Sequence, residues 1–260
     1  MIQEHLPLDD GWRGRALRRI AVACAALAVL LVTVMVITGY VGGAVFGEMP
    51  ATVRSRPELA GVGAVLISGD MGFSVGMGRE VARHLADDGI PVTVVNSLAF
   101  FRTQRTPAED RTLVAAAIRR AMAVPGTRRV VLVGQSFGAD MLQVGLAGLA
   151  PALRAPVLDV VLIVPEDTVE YRASPSDLFA MGEPQLPALP TARRLDWVPT
   201  LCIRGADETD SLCPLLSSAN IEHAVLPGGH PLRRDSDRVY GTLIRSVLRA
   251  ARQPGGVHTR

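Results

Sequence analysis

Residues 130–140 read Val130-Val131-Leu132-Val133-Gly134-Gln135-Ser136-Phe137-Gly138-Ala139-Asp140. An apolar, mostly β-branched run leads straight into Gly-x-Ser-x-Gly. A helix-spaced apolar series then follows at once through Met141, Leu142, Val144 and Leu146. This order predicts a buried strand, a sharp turn and a helix, the setting of a nucleophile elbow. Ser136 is expected in the turn, in a strained conformation, with its hydroxyl raised above the sheet edge. Gly134 and Gly138 suit such a turn because strand and helix pass too closely there for a Cβ. The N–H of Phe137, at the helix start, then faces any oxyanion forming beside Ser136. The pentapeptide alone is common; the strand before it and the helix after it make it informative. The plainer alternative is a glycine-rich turn in some other βαβ unit.

Around this stretch, strand and helix patterns alternate. Val62–Ile67 reads as a first strand, 78–89 as a helix, 91–95 as a strand and 107–124 as a helix. Pro107 suits the first turn of that helix, and Glu109 and Asp110 suit its positive end. Then come the strand 129–133, the helix after Ser136, the strand 158–164 and two last strands, 200–204 and 221–226. An amphipathic helix, 237–252, closes the pattern. Such alternation predicts an α/β-hydrolase fold, a mostly parallel sheet with helices on both faces. The stretch 165–196 is long, Pro-rich and irregular, as lids and substrate loops often are. No internal repeat is present.

A serine nucleophile needs a base and a group that orients the base, in the chain order Ser, acid, His. His230 is the expected base. It follows the last strand pattern in Pro227-Gly228-Gly229-His230-Pro231, at the carboxyl edge beside the elbow. His5 precedes the apolar N-terminal run, His84 lies in a helix before the nucleophile, His223 lies within a strand, and His258 is in the tail. The acid should follow the strand 200–204, in a loop holding Asp207, Glu208 and Asp210. Asp210 is preferred for its spacing to Pro214, Asp207 comes second for its nearness to the strand end, and Glu208 third. The second oxyanion donor should come from Ser68-Gly69-Asp70-Met71-Gly72, with the N–H of Asp70 first and that of Met71 second. Asp70 could also read a cation on the substrate, and the plain alternative for this stretch is a tight glycine turn. Cys202 and Cys213 flank the acid loop and can close a disulfide outside the cytoplasm. No metal site is expected, because zinc would need more ligands than lie nearby, and no cofactor is expected.

At the N-terminus, residues 1–19 are polar, with Arg13, Arg15, Arg18 and Arg19 just before a run, Ile20–Phe46, that lacks charge. About 20 apolar residues span a bilayer core as a helix, and this run exceeds the apolar stretch of a signal peptide, about 7–15 residues. A transmembrane signal anchor over 20–46 is therefore expected, with a signal cleaved near Gly42-Gly43-Ala44 as the alternative. The arginines should stay cytoplasmic, which places the rest of the chain outside, in the periplasm of a two-membrane bacterium. Residues 47–60 read as a linker, 61–252 as the folded domain and 253–260 as a disordered tail. Net charge is +2, and every basic residue is Arg. No stretch concentrates that charge, so a nucleic-acid surface is not expected.

Four stretches together resemble the VirJ/AcvB family of bacterial α/β-hydrolases: Gly134–Asp140, Ser97–Glu109, Cys202–Pro214 and Pro227–His230. The similarity runs from about Val62 to Ala250. The resemblance implies an exported, virulence-associated protein and, by likeness to AcvB-type members, hydrolysis of lysyl-phosphatidylglycerol at its aminoacyl ester. It carries the nucleophile onto Ser136 and the base onto His230. The chain departs from the family where Gly-Asp-Gly-Gly-Trp is usual and Gly69-Asp70-Met71-Gly72-Phe73 stands instead. That alters a wall of the expected pocket. The residues themselves fit a membrane phospholipid as partner, with the anchor in the inner membrane and Phe100 and Phe101 available to an acyl chain or to the core. They fit equally a general periplasmic carboxylesterase or lipase with the same Ser136, Asp210 and His230. A third reading is a non-catalytic exported scaffold associated with a secretion system.

Overall fold

The computed structural model describes residues 10–173 and 186–252. The central strands form from short, mostly β-branched apolar runs that are covered on both faces, and the edge strands are partly exposed. The strands are β1 (Phe46–Met49), β2 (Val62–Ile67), β3 (Val92–Val95), β4 (Arg129–Gln135), β5 (Val157–Ile163), β6 (Thr168–Val169), β7 (Leu186–Pro187), β8 (Thr200–Gly205) and β9 (Ile221–Leu226). One seven-stranded sheet has the order β1-β3-β2-β4-β5-β8-β9, and β6 pairs with β7 apart from it. All neighbours in the large sheet are parallel except β1 and β3. Strand β4 lies at its centre, and every residue of β2 is buried.

The helices are α1 (Asp10–Ile37), α2 (Gly78–Asp87), α3 (Ser97–Phe101), α4 (Pro107–Ala123), α5 (Phe137–Ala147), α6 (Pro151–Arg154), α7 (Leu189–Ala192) and α8 (Ser236–Arg252). Helix α4 starts where Thr106 and Glu109 form a reciprocal capping box ahead of Pro107, which satisfies two otherwise orphaned N–H groups. One apolar core packs α4 and α5 on one face of the sheet; a second packs α2 and α8 on the other. Helix α2 contributes Val81, Ala82, Leu85 and Ala86, spaced so that one stripe faces inward. Helix α5 is buried along almost its whole length, since it packs on the sheet beside α4 and against α7.

Two expectations change at the N-terminal side. Residues 47–60 are not a free linker. Phe46–Met49 adds an antiparallel edge strand to β3, Thr52 N–H donates to the Ala86 carbonyl at 3.0 Å, and Leu59 is fully buried. The sequence hides this because β1 is short and flanked by Gly, Pro and Arg, and its pairing partner is remote. The apolar N-terminal run is helical from Asp10 and ends at Ile37, short of Phe46. Its stretch Gly14–Ile37, 24 residues containing an 18-residue window of mean hydropathy 3.0, is long and apolar enough to cross a membrane, and that window is not covered by the rest of the protein. Residues 1–9, the expected tail 253–260 and the middle of the irregular stretch, 174–185, lie outside the described residues. The rest of that stretch contains β6, β7 and α7.

The sulfur atoms of Cys202, on β8, and Cys213 are 2.07 Å apart, closing a disulfide across a separation of 11 residues. Both cysteines are buried. A ring of this length should contribute about 2–3 kcal/mol on the chain-entropy account. Replacing both by alanine should lower the free energy of unfolding in urea by that amount. A variant as stable as the parent would show that the bond does not brace the fold.

Candidate active site

Strand β4 stops at Gln135, and the chain must reverse within one residue to enter α5. A Cβ on Gly134 would lie 2.5 Å from the Gly138 carbonyl oxygen, and one on Gly138 would lie 2.3 Å from that of Ser68. Those distances exclude any side chain at either position. The residue between them that carries the turn, Ser136, has φ 53° and ψ −131°. That is a sparsely populated conformation for a residue with a side chain, and surrounding structure must hold it. Here the Ser136 N–H donates to the Ile163 carbonyl at 2.8 Å, and the Ser136 carbonyl accepts from the N–H groups of Ala139 and Asp140. The turn lifts the hydroxyl clear of the sheet.

The hydroxyl meets His230. Ser136 Oγ lies 2.8 Å from His230 Nε2, and His230 Nδ1 lies 2.9 Å from Glu208 Oε1. Ser136 and His230 come together as expected. Asp210 does not join them: Glu208, placed third among the acids, is the carboxylate on His230. The reason lies in the loop after β8. The N–H groups of Ala206 and Asp207 donate to the carbonyls of Leu226 and Gly228, which leaves the Asp207 side chain exposed. Glu208 then folds back, and its other oxygen accepts from the Gly205 N–H at 2.5 Å. Its side chain is 3% exposed. Asp210 is exposed, and its carbonyl accepts from the Asp167 N–H at 2.8 Å, so its segment is drawn to the loop after β5. The sequence signal for this was Gly205-x-x-Glu208, a spacing that lets a carboxylate cap the N–H at the start of its own turn.

Two elements flank Ser136 on the side where an oxyanion is expected. Phe137 is the first residue of α5, so its N–H has no acceptor within the helix. The loop after β2 lies beside it: a Cβ on Gly69 would be 3.6 Å from Ser136 Cβ. The Gly72 N–H donates to the Gly69 carbonyl at 3.0 Å, closing the turn that carries Asp70 and Met71. The Phe137 ring packs edge to face on Phe101, with ring centres 5.1 Å apart, and Phe101 packs likewise on Phe100 at 4.9 Å. Phe101 is a core residue, and Phe100 is half-buried against that core.

Carboxylates gather around the dyad. Asp140 is buried and accepts from the Glu166 N–H at 2.9 Å. Burial is the main reason that its carboxyl is pushed well above the usual carboxylate range, with Glu166 adding to it. Glu166 is pushed up as well, first by burial and then by the negative charges of Asp210, Asp70 and Glu170, against the opposing pull of His230. The bond to Glu208 raises the pKa of His230 above the ordinary 6.5, against burial, which lowers it. Among the described residues, no group of His, Cys, Asp and Glu side chains could hold a metal ion.

The family profile described as "Bacterial virulence protein (VirJ)" matches residues 62–253. No curated protein matches the chain. Among solved structures, the chain is similar to the α/β hydrolase GrgF from Penicillium sp. sh18, with a TM-score of 0.58 at 12% identity, covering 78% of this chain and 93% of that one. It is also similar to the Pyrococcus furiosus esterase Pf2001, with a TM-score of 0.56 at 14% identity, covering 78% and 90%. Est1E from Butyrivibrio proteoclasticus follows, with a TM-score of 0.52 at 15% identity, covering 78% and 94%. At these identities the likeness establishes the fold, an α/β-hydrolase fold.

Glu208→Ala should slow hydrolysis of a neutral nitrophenyl ester by about 10²–10⁴-fold, the usual worth of an oriented acid–base pair. Asp207→Ala should be nearly silent, and Asp210→Ala should cost far less than Glu208→Ala. The pH profile supplies the second check. If His230 works as the base, its working form is neutral, so kcat/KM should fall as pH drops through a value above 6.5. Glu208→Gln removes the main cause of that raised value, and the acid limb should move to lower pH. A limb that stays in place would contradict the assignment.

Proposed function

Since the chain belongs to the VirJ family of bacterial virulence proteins, we propose that it is a membrane-anchored serine hydrolase cleaving a carboxylic ester. The observation that carries this reading is the hydrogen-bonded relay from Ser136 through His230 to Glu208, with Ser136 held at positive φ. Ser136 Oγ attacks the ester carbonyl carbon while His230 Nε2 takes its proton. The negative oxygen is received by the N–H groups of Phe137 and Asp70. The tetrahedral adduct collapses, the bond to the alcohol oxygen breaks, and His230 returns the proton to that oxygen. Water then attacks the acyl-Ser136 ester with His230 again as base, and the acid leaves. Glu208 holds the Nδ1–H tautomer and stabilises the imidazolium.

The substrate proposed is an aminoacyl ester on a membrane lipid, with lysyl-phosphatidylglycerol first. Two features support it. The apolar helix α1 keeps the domain at a bilayer, where such a lipid resides. Asp70 and Asp210 sit close enough to the dyad to act electrostatically on Glu166, and Asp210 on His230, and they would favour an ammonium-bearing acyl group there. The site is proposed to face the periplasm from the inner membrane. The arginines before the apolar helix support that orientation, and the buried disulfide suits an oxidising compartment.

Purified protein in detergent should release lysine from lysyl-phosphatidylglycerol and should react with a fluorophosphonate probe. Ser136→Ala and His230→Ala should each lose on the order of 10⁴–10⁶ in rate, and the double variant should lose little more. Hydrolysis of a nitrophenyl ester without lysine release would leave a general carboxylesterase or lipase. An unlabelled protein whose Ser136→Ala variant has a full cellular phenotype would leave the non-catalytic scaffold.

A phosphatase reporter fused after Ala60 should be active if the domain is periplasmic. An inactive reporter in cells that make the fusion would reverse the orientation.

A further inference from the structure

The loop that carries the second oxyanion donor is bonded at its start, and abutted near its far end, by one dipeptide, Asn96-Ser97. Ser97 Oγ donates to the Ser68 carbonyl at 2.5 Å, and the Ser97 N–H donates to Ser68 Oγ at 3.1 Å. Both serines are buried, so the start of the loop is fixed to α3. Asn96 lies against the far end. Its Oδ1 accepts from the Ala99 N–H at 3.4 Å, and its Nδ2 donates at 3.3 Å to the carbonyl of Thr38, just past the end of α1. Gly72 is wedged at this junction. Its φ is +80°, and a Cβ there would lie 2.7 Å from the Thr38 oxygen and 3.1 Å from Asn96 Oδ1.

Other domain side chains reach the same turn of chain. Ser74 Oγ donates to the Ile37 carbonyl at 3.4 Å, and Arg102 donates to the Tyr40 carbonyl at 3.3 Å. A helix leaves its last carbonyls without intrahelical partners. Here the carbonyls at and just beyond the end of α1 are taken by side chains that flank the active-site loop. The strand register agrees with this placement. Phe46 pairs with Val95 and Met49 with Val92, so β1 enters at the carboxyl edge of the sheet and runs away from it. The chain therefore leaves the apolar helix on the edge that bears Ser136.

We infer that α1 is a working part of the active site: through Thr38 and Asn96, its C-terminal end positions the Gly69–Gly72 loop and with it the Asp70 N–H. Asn96 is a positioning residue, and the apolar helix does more than tether. This rests on the serine-hydrolase reading above. It makes ester hydrolysis depend on α1 even for a substrate that never enters a membrane.

The test uses the full chain in detergent micelles with nitrophenyl acetate, which is small, neutral and soluble. Asn96→Asp keeps the oxygen that caps α3 and removes the donor to Thr38. Its kcat should fall about tenfold or more, a fraction of the loss from deleting an oxyanion donor, while KM changes little. Hydrogen exchange should quicken at Asp70–Gly72 and stay unchanged across β4, α5 and β8. Ser74→Ala/Arg102→Ala, which alters two exposed side chains, should move both readouts the same way by less, and it carries the test if Asn96→Asp does not fold. Unchanged kcat overturns the inference, whether or not exchange quickens. Quickened exchange throughout the domain also overturns it, because the contact would then be merely structural. If Ser136→Ala hydrolyses the ester as fast as the parent, the hydrolase reading fails and the inference with it. Exchange at the loop, measured separately, shows whether the contact to α1 was real.

Discussion

The active site depends on a contact between backbones. Strand β4 and helix α5 come so close at Gly134 and Gly138 that neither position accepts a Cβ, and the second presses on the carbonyls that end β2. With both glycines locked, the single residue between strand and helix must take a positive φ. Everything else about the nucleophile follows from that. Its side chain leaves the sheet, and the loop after β2 comes alongside it. The strain is local and of order 1–3 kcal/mol by general expectation. It is held by a sheet in which β2, β4 and β5 are buried on both faces.

Charge sets the second constraint. The base stands among carboxylates, and one of them, Glu208, is held by a backbone N–H as well as by the imidazole. That double hold fixes the ring before any substrate arrives. The carboxylates of Asp140 and Glu166 are disposed otherwise. They are joined through a backbone N–H and sunk deeply enough that burial favours their neutral forms. One site thus sets Glu208 against the imidazole, while burial biases its neighbours Asp140 and Glu166 towards the acid form.

The centre of this molecule was legible in its sequence, and the margins were not. The strand and helix around Ser136 are readable because apolar run, glycine spacing and helical period all demand the same turn. His230 is readable because it directly follows the last strand pattern in a glycine-rich loop. The acid was misread because three carboxylates share one loop, and sequence order cannot tell which one folds back. That choice is made by tertiary bonds from Leu226, Gly228 and Asp167 to the loop backbone. Strand β1 escaped notice for a related reason. Phe46–Met49 has no periodicity of its own and is a strand because β3 presents a free edge to it. The contacts of Asn96 and Ser97 are equally invisible, since nothing local predicts that a polar pair after β3 will meet a loop and a helix end far away in the chain.

The register of β1 has one more consequence. Because the chain enters the sheet beside its catalytic edge, the mouth of the site is held at the level where the apolar helix ends. If the chain hydrolyses a membrane lipid, as proposed above, it meets that substrate by lateral diffusion in two dimensions. Its turnover is then governed by the mole fraction of substrate in the surface around it and is blind to total lipid added, so doubling the number of vesicles at constant composition leaves each enzyme working at the same rate.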